Sequence, residues 1–245
     1  MRAIYLLFGV VAYTIFFATF LYLIAFVGDI ALVPRTVDRG GPLGDVGTAA
    51  LIDAALIALF GLQHTVMARQ GFKRAWTRIV PKPIERSVYV LLASLALILM
   101  FLLWRPIPGE LWRIANPTGI AAMMILFFIG WLVVLVSTFL INHFELFGLR
   151  QVWSNARGHE VPAPVFREPV FYRRIRHPLY SGFILAFWAT PHMSWGHALL
   201  AAGMTVYILI AIRYEERDLV GLFGEQYESY RGRAGMLTPR LRKRV

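Results

Sequence analysis

Four short stretches carry the residues able to do chemistry. His64 lies in GLQHTVMAR, and Asn142, His143 and Glu145 lie in INHFELFG. Arg176 and His177 lie in RRIRHPLYSG, and Arg213, Glu215 and Glu216 in IRYEERDL. Each stretch stands where a long apolar run meets a basic segment. Histidine exchanges protons near neutral pH, carboxylates accept hydrogen bonds, and arginine forks hold anions. Ionisable groups near membrane depth are costly and tend to line an internal, wetted site. Four segments bringing them to one level point to a shared polar site rather than to four unrelated interfacial caps. A zinc centre is a poor fit. Asn142, His143 and Glu145 share no helical face with a second histidine, no His-x-x-x-His pair exists, and zinc would need ligands from three separate spans.

The elements that must position these residues are membrane helices. The chain has 245 residues, 58% of them hydrophobic and 16% charged, with a mean hydropathy of +0.60. That is too apolar for an ordinary soluble domain. The runs 4–27, 47–67, 88–104 and 119–141 are spans by length. The segments 179–190 and 195–213 form a helical hairpin, its tip at Pro191, that need not cross fully. The expected fold is therefore all-α: a polytopic bundle of five to six membrane segments and one domain over 1–245. Four spans fill 1–141, a basic linker covers 142–178, and the hairpin with an interfacial tail covers 179–245. With backbone groups buried in lipid, helices are the expected conformation throughout. The uncharged run from Ile4 to Val27 exceeds a signal-peptide core and reads as a retained first span.

Net charge of +11 would suggest nucleic acid in a soluble protein, but here it reads as topology. Of 25 Lys and Arg, 21 fall in the linkers 68–87 and 142–178, the tail from 213 and the N-terminus. The alternate linkers 28–46 and 105–118 hold two each. The basic side, with both termini and the four stretches above, is expected to face the cytoplasm of a bacterial inner membrane. Membrane lipids are the expected surroundings, and nucleic acid is no partner. The absence of cysteine excludes a disulfide, a Cys-ligated metal and a Cys nucleophile.

Other polar residues are weaker candidates. His192 and His197, near Trp195, are expected at the opposite interface, and His159 in a loop. Asp53 is placed to pair with a neighbouring helix. RGGPLGDVG follows a membrane helix and lacks the strand that a phosphate loop requires. In RDLVGLFGEQYESYRGR, Leu219, Leu222, Phe223, Tyr227 and Tyr230 fall at helical spacing. An amphipathic interfacial helix continuing the last span is expected there.

RHPLYSG, a hairpin, then RYEERDLVGLFGEQYESYRGR resembles the signature of the isoprenylcysteine carboxyl methyltransferase superfamily, across about 60 residues. GLQHTVMARQGFKRAWTRIVPKPIERSVYVL and INHFELFGLRQVW extend the likeness over nearly the whole chain. They are similar to the methanethiol S-methyltransferase branch, itself close to nurim-like membrane proteins. A proline expected near Gln70 is missing. The resemblance implies an integral-membrane methyltransferase using S-adenosylmethionine (SAM), without a metal, on a small volatile thiol. The reaction it implies is methanethiol to dimethyl sulfide, with hydrogen sulfide as a second acceptor.

Carried over by residue, the resemblance implies that SAM lies against Arg176, His177, Pro178, Leu179 and Tyr180, with Arg213 and Glu215 or Glu216. The N-terminus of the helix beginning at Pro178 would offer N–H groups to its carboxylate. Tyr180 and Tyr207 would pack on the adenine or near the sulfonium. Thiol deprotonation needs a base, for which His64 and His143 are the candidates, oriented by Glu85 and Arg86. The rival expectations are a membrane methyltransferase for a prenylcysteine carboxylate or a phospholipid amine, and a nurim-like scaffold without catalysis.

Overall fold

A computed structural model describes residues 1–161 and 165–240. Arg242, Lys243 and Arg244, counted above in the basic tail, lie outside the described residues. Five helices are long and apolar enough to cross a membrane: α1 (Arg2–Val27), α2 (Val46–Ala68), α4 (Lys82–Leu103), α5 (Pro117–Ile141) and α9 (Trp195–Phe223). Between and after them come α3 (Gln70–Trp76), α6 (His143–Leu146), α7 (Leu149–Arg157), α8 (Pro178–Trp188) and α10 (Glu225–Arg233). The protein is an all-α, multi-pass membrane protein.

Local chemistry sets the ends of these helices. Asp45, Asn116 and Ser194 each accept a hydrogen bond from a backbone N–H of the turn they cap, at 2.7, 2.6 and 2.9 Å. Such caps satisfy donors that the first turn leaves unpaired. The third span starts at Lys82, six residues before the expected boundary at 88. Pro83 suits a first helical turn, and the long stems of Lys82, Glu85 and Arg86 can lie along the helix while their charges stay wet. Glu85 and Arg86 thus sit on a helix rather than in a linker.

α4 packs between α1 and α2, α9 lies beside α2, and α8 runs along α5 and against α9. The closest approach is at two glycines. A Cβ on Gly182 would come within 2.6 Å of the Gly130 carbonyl oxygen, and one on Gly130 within 2.7 Å of the Gly182 oxygen. Small residues let membrane helices approach backbone to backbone. Trp104, Phe26, Phe127, Phe187 and Met100 fill the core around these helices.

The hairpin runs from the basic end of the bundle to the far end, but not as two helices. α8 has 11 residues, about 16 Å at 1.5 Å per residue. Residues 189–194 then continue in irregular and extended form to the far end. There β2 (His192–Ser194) pairs antiparallel with β1 (Glu110–Arg113), so the expectation of helices throughout is corrected by a two-stranded sheet. Buried backbone is tolerated where it is satisfied inside the protein. The Pro191 carbonyl accepts from the Ile114 N–H at 2.8 Å, and the Thr190 carbonyl from the Trp112 indole at 3.0 Å.

At this end Asp38 accepts a hydrogen bond from Ser194, and His192 reaches Glu110 at 3.2 Å and Asp38 at 3.7 Å. His197, expected at the interface, is instead buried (1% exposed), with Nε2 2.9 Å from the Phe187 carbonyl. The inward fold of 189–194 carries it into the core. Asp53 accepts from the Arg105 N–H at 2.9 Å, so its partner is the backbone just past α4.

The basic linker also has structure. α7 docks on α1, where Val152 is fully buried and a Cβ on Gly9 would meet it at 2.5 Å. The tail does not continue the last helix as one amphipathic rod. Gly224 breaks it with φ +55°, a conformation that favours glycine. Beyond the break, Tyr227 and Tyr230 pack with Phe166 and Phe223, whereas Leu222 is exposed. His159 lies exposed just past α7.

Candidate active site

The basic end is organised around one carboxylate. Glu216, on α9, is 11% exposed in its side chain and meets two guanidinium groups and an imidazole. Arg176 Nε donates to its Oε1 at 2.6 Å, His177 Nε2 lies 3.1 Å from the same oxygen, and Arg231 Nε is 3.3 Å from Oε2. Arg176 also donates to the Ala234 carbonyl at 2.6 Å. The segment after α10 then folds back over the start of α8. The N–H groups of Arg176 and His177 donate to the carbonyls of Gly235 and Met236 at 2.8 and 3.1 Å, and the Ser181 hydroxyl donates to Leu237 at 2.6 Å.

This changes what the helix start can offer. Pro178 has no N–H, and the N–H of His177 is already used. Among the described residues, Leu179 and Tyr180 are therefore the residues of the first turn whose N–H groups face no backbone acceptor, while Arg176 is spent on Glu216 and the tail. Arg213 is exposed and, with Arg217, Arg231 and Glu216, lines a cleft of about 350 Å³.

Glu215 is arranged differently. Its Oε2 accepts from the Tyr180 hydroxyl at 2.9 Å and lies 3.9 Å from His177 Nδ1, with the side chain 42% exposed. Its second oxygen is free to accept. Tyr180 packs against the same core cluster as Tyr207 and Phe60, so this pair adjoins a second feature.

That feature is an aromatic box around His64. The imidazole stacks on Phe60, one turn earlier on α2, with centroids 5.3 Å apart. Tyr89 of α4 lies at 4.9 Å and Tyr207 of α9 at 6.2 Å. His64 Nδ1 is buried and has no hydrogen-bond partner. It is one of ten buried side-chain N or O atoms without a partner among the described residues, and it stands beside the aromatic rings of Phe60, Tyr89 and Tyr207. Arg86 covers the far face, its guanidinium 4.9 Å from the Tyr89 centroid and its Nε donating to the Leu146 carbonyl at 2.7 Å.

His143 stands apart from this box. Its Nε2 is 2.7 Å from the Tyr13 hydroxyl and its Nδ1 2.9 Å from Thr138 Oγ1, and Phe139 stacks on the ring at 4.3 Å. Both nitrogens are engaged, and burial holds the imidazole below its usual pKa. Glu145 is bound by Arg150 at 2.6 Å and by the Asn142 amide at 2.7 Å. Among the described residues, no group of three or more His, Cys, Asp or Glu side chains is set to hold a metal ion.

The structure thus gathers Arg176, His177, Pro178, Tyr180, Glu215 and Glu216 at the meeting of α8 and α9, with Arg213 on its rim. It places His64, Tyr207 and Arg86 in the adjoining box and leaves Leu179 partly buried against the core. Phe60, Tyr89, Arg231 and the backbone of 234–237 escaped the sequence analysis. The i, i+4 spacing of Phe60 and His64 was the readable signal for the first. The others depend on tertiary contacts.

A multi-pass helical bundle with a polar, aromatic-walled site at one end is the class that fold and site define. Residues 53–240 match the family model described as NnrU protein. The chain is 50% identical over 238 residues to the methanethiol S-methyltransferase of Mycobacterium tuberculosis, covering 97% of each. It is 50% identical to methanethiol S-methyltransferase 1 of Bradyrhizobium diazoefficiens, over 95% of this chain and 81% of that one. Nurim of Pan troglodytes is 31% identical over 68% of this chain and 66% of its own. No solved structure matches. The chain belongs to the NnrU family, in the branch of the methanethiol S-methyltransferases.

Proposed function

We propose that this protein transfers a methyl group from SAM to a small thiol, converting methanethiol to dimethyl sulfide and hydrogen sulfide to methanethiol. The basic end, with both termini, faces the cytoplasm of a bacterial inner membrane, as the bias of Lys and Arg requires. The observation that carries the reading is the unpartnered, buried Nδ1 of His64 inside an aromatic box next to the Tyr180–Glu215 pair.

The residues fit the donor. Glu215 has a free carboxylate oxygen for hydroxyls or an ammonium, and the N–H groups of Leu179 and Tyr180 suit a carboxylate, as do Arg213, Arg217 and Arg231 around their cleft. The ring faces of Tyr89, Tyr180 and Tyr207 favour a neighbouring cation. When bound, SAM supplies an electrophilic methyl group on a sulfonium sulfur.

The chain's own residues must then generate and align a thiolate. A free thiol has a pKa of about 8.5, so a base is needed near neutral pH. His64 Nδ1, free of any competing donor, accepts that proton. Phe60, Tyr89 and Tyr207 exclude water and confine the small acceptor, which raises its effective concentration at the reacting carbon. Arg86 fixes Tyr89 and ties α4 to α6. Arg176, His177, Arg231 and Glu216 act at one remove, holding α8, α9 and the tail in register.

The test is to give purified full-length protein SAM carrying a labelled methyl group together with methanethiol. Label recovered in dimethyl sulfide supports the proposal. Label found in a co-purifying lipid, or none transferred despite SAM binding, contradicts it.

A further inference from the structure

α2 and α9 leave a groove of about 660 Å³ between them along their lipid-facing sides. Ala54, Ala58, Leu62, Val206 and Ile210 line its length, all exposed. Its one charged lining residue, Arg69, stands at the basic end, paired with Asp218 at 3.1 Å. The inner wall is Tyr207. That ring also forms one side of the His64 box, 6.2 Å from the imidazole and 5.7 Å from Phe60. One aromatic side chain therefore separates an apolar, laterally open groove from a buried, unpartnered nitrogen.

Gly61 sets how far that ring can withdraw. It lines the groove directly behind Tyr207, and a Cβ there would lie 2.9 Å from Tyr207 Cδ2 and 3.4 Å from Cγ. With hydrogen in its place, the ring lies flush against the α2 backbone. An alanine would crowd the ring and force it to shift.

We propose that Tyr207 is a gate through which the neutral thiol passes from the bilayer into the His64 box, with Gly61 setting its aperture and so the size of acceptor admitted. The inference rests on the thiol-acceptor reading of the site. A small, uncharged, apolar thiol dissolves readily in hydrocarbon. The groove asks for no desolvation of charge along its length, and it ends on the ring that also walls the His64 box. A hydrophobic pocket discriminates one methylene by roughly 10- to 200-fold, so a ring displaced by a few tenths of an ångström is enough to alter acceptor preference.

The experiment measures kcat/KM for hydrogen sulfide, methanethiol and 1-propanethiol with full-length protein in lipid nanodiscs. Ala58→Trp, which touches neither the box nor the donor residues, should lower kcat/KM for methanethiol about tenfold and leave the KM for SAM unchanged. Tyr207→Leu should raise the ratio of propanethiol to methanethiol about tenfold, and Gly61→Ala should lower it. The two opposite shifts keep the proposal testable if one variant fails to fold. Unchanged ratios in both, or Ala58→Trp without effect, would overturn the gate and bring the thiol in from the aqueous side. A wild-type protein inactive on every thiol would overturn the underlying reading instead, and the gate with it.

Discussion

Glu215 and Glu216 are neighbours on α9, yet the carboxylate of Glu216 is filled by Arg176 at 2.6 Å, His177 at 3.1 Å and Arg231 at 3.3 Å, while Glu215 accepts a single hydrogen bond, from Tyr180 at 2.9 Å. Successive helical positions point about 100° apart, so one glutamate faces the tail and the other the aromatic box. The pair divides its labour between holding the site together and meeting a ligand.

The two glutamates should therefore fail differently. Glu216→Gln leaves the largely buried Arg176 guanidinium without its counter-charge, a change that typically costs about 3–5 kcal/mol, while the exposed Arg231 adds little. A large fall in thermal midpoint and proteolysis of the tail after Arg233 are expected. Glu215→Gln should keep the midpoint and raise the KM for SAM by about tenfold or more, the loss of one charge-assisted hydrogen bond. Thermal unfolding and SAM titration of the two variants check this.

Loss of the base should be rescued by alkali. His64→Ala should cut kcat about 100-fold at pH 7. The deficit should shrink as pH rises beyond about 8.5, the cysteine value, since a simple alkyl thiol ionises somewhat higher than that. A rate profile from pH 6.5 to 9.5 reads this directly, and a deficit constant across that range would remove His64 from the proton transfer.

His143 is expected to matter for folding rather than turnover. His143→Ala strands the Tyr13 hydroxyl, a cost of about 1–3 kcal/mol, and should leave kcat within about threefold. Its pKa is held down by burial, so the unfolded chain binds the proton more readily than the folded one. The stability it contributes is complete above the unfolded value of about 6.5 and is lost as pH falls below that toward the folded pKa. Melting at pH 7.5 and 5.5 should show a smaller drop in His143→Ala than in the wild type.

The α5–α8 crossing admits no side chain. Gly182→Ala places a Cβ 2.6 Å from the Gly130 oxygen and 2.9 Å from the Val134 nitrogen, both backbone atoms that cannot swing aside. A cost of about 1–3 kcal/mol is expected, together with weaker SAM binding because α8 carries Tyr180. Gly221→Ala is the control: nothing lies within 4 Å of its Cβ, and a helical alanine there should be neutral or stabilising.

Much of this was legible in the residues. Apolar runs located all five spans, and the R-H-P and E-E stretches marked residues that do meet at Glu216 and Tyr180. Histidine depth also placed His64 correctly at the basic end. It did not separate His64 from His143, because depth is a single coordinate and the two lie on different sides of α4. Nor did periodicity show that the tail folds back to occupy Arg176. That arrangement depends on backbone carbonyls at 234–237, which any residue supplies. The extended stretch after α8 was likewise hidden, since Thr190 and Pro191 draw partners from Trp112 and Ile114, some 80 residues earlier.

The most direct measurement is dimethyl sulfide in the headspace over purified protein, SAM and methanethiol, comparing wild type with His64→Ala and Glu215→Gln at pH 7. The account predicts steady product from the wild type, about 100-fold less from His64→Ala at saturating SAM, and recovery of Glu215→Gln as SAM is raised. Undiminished product from His64→Ala would contradict it.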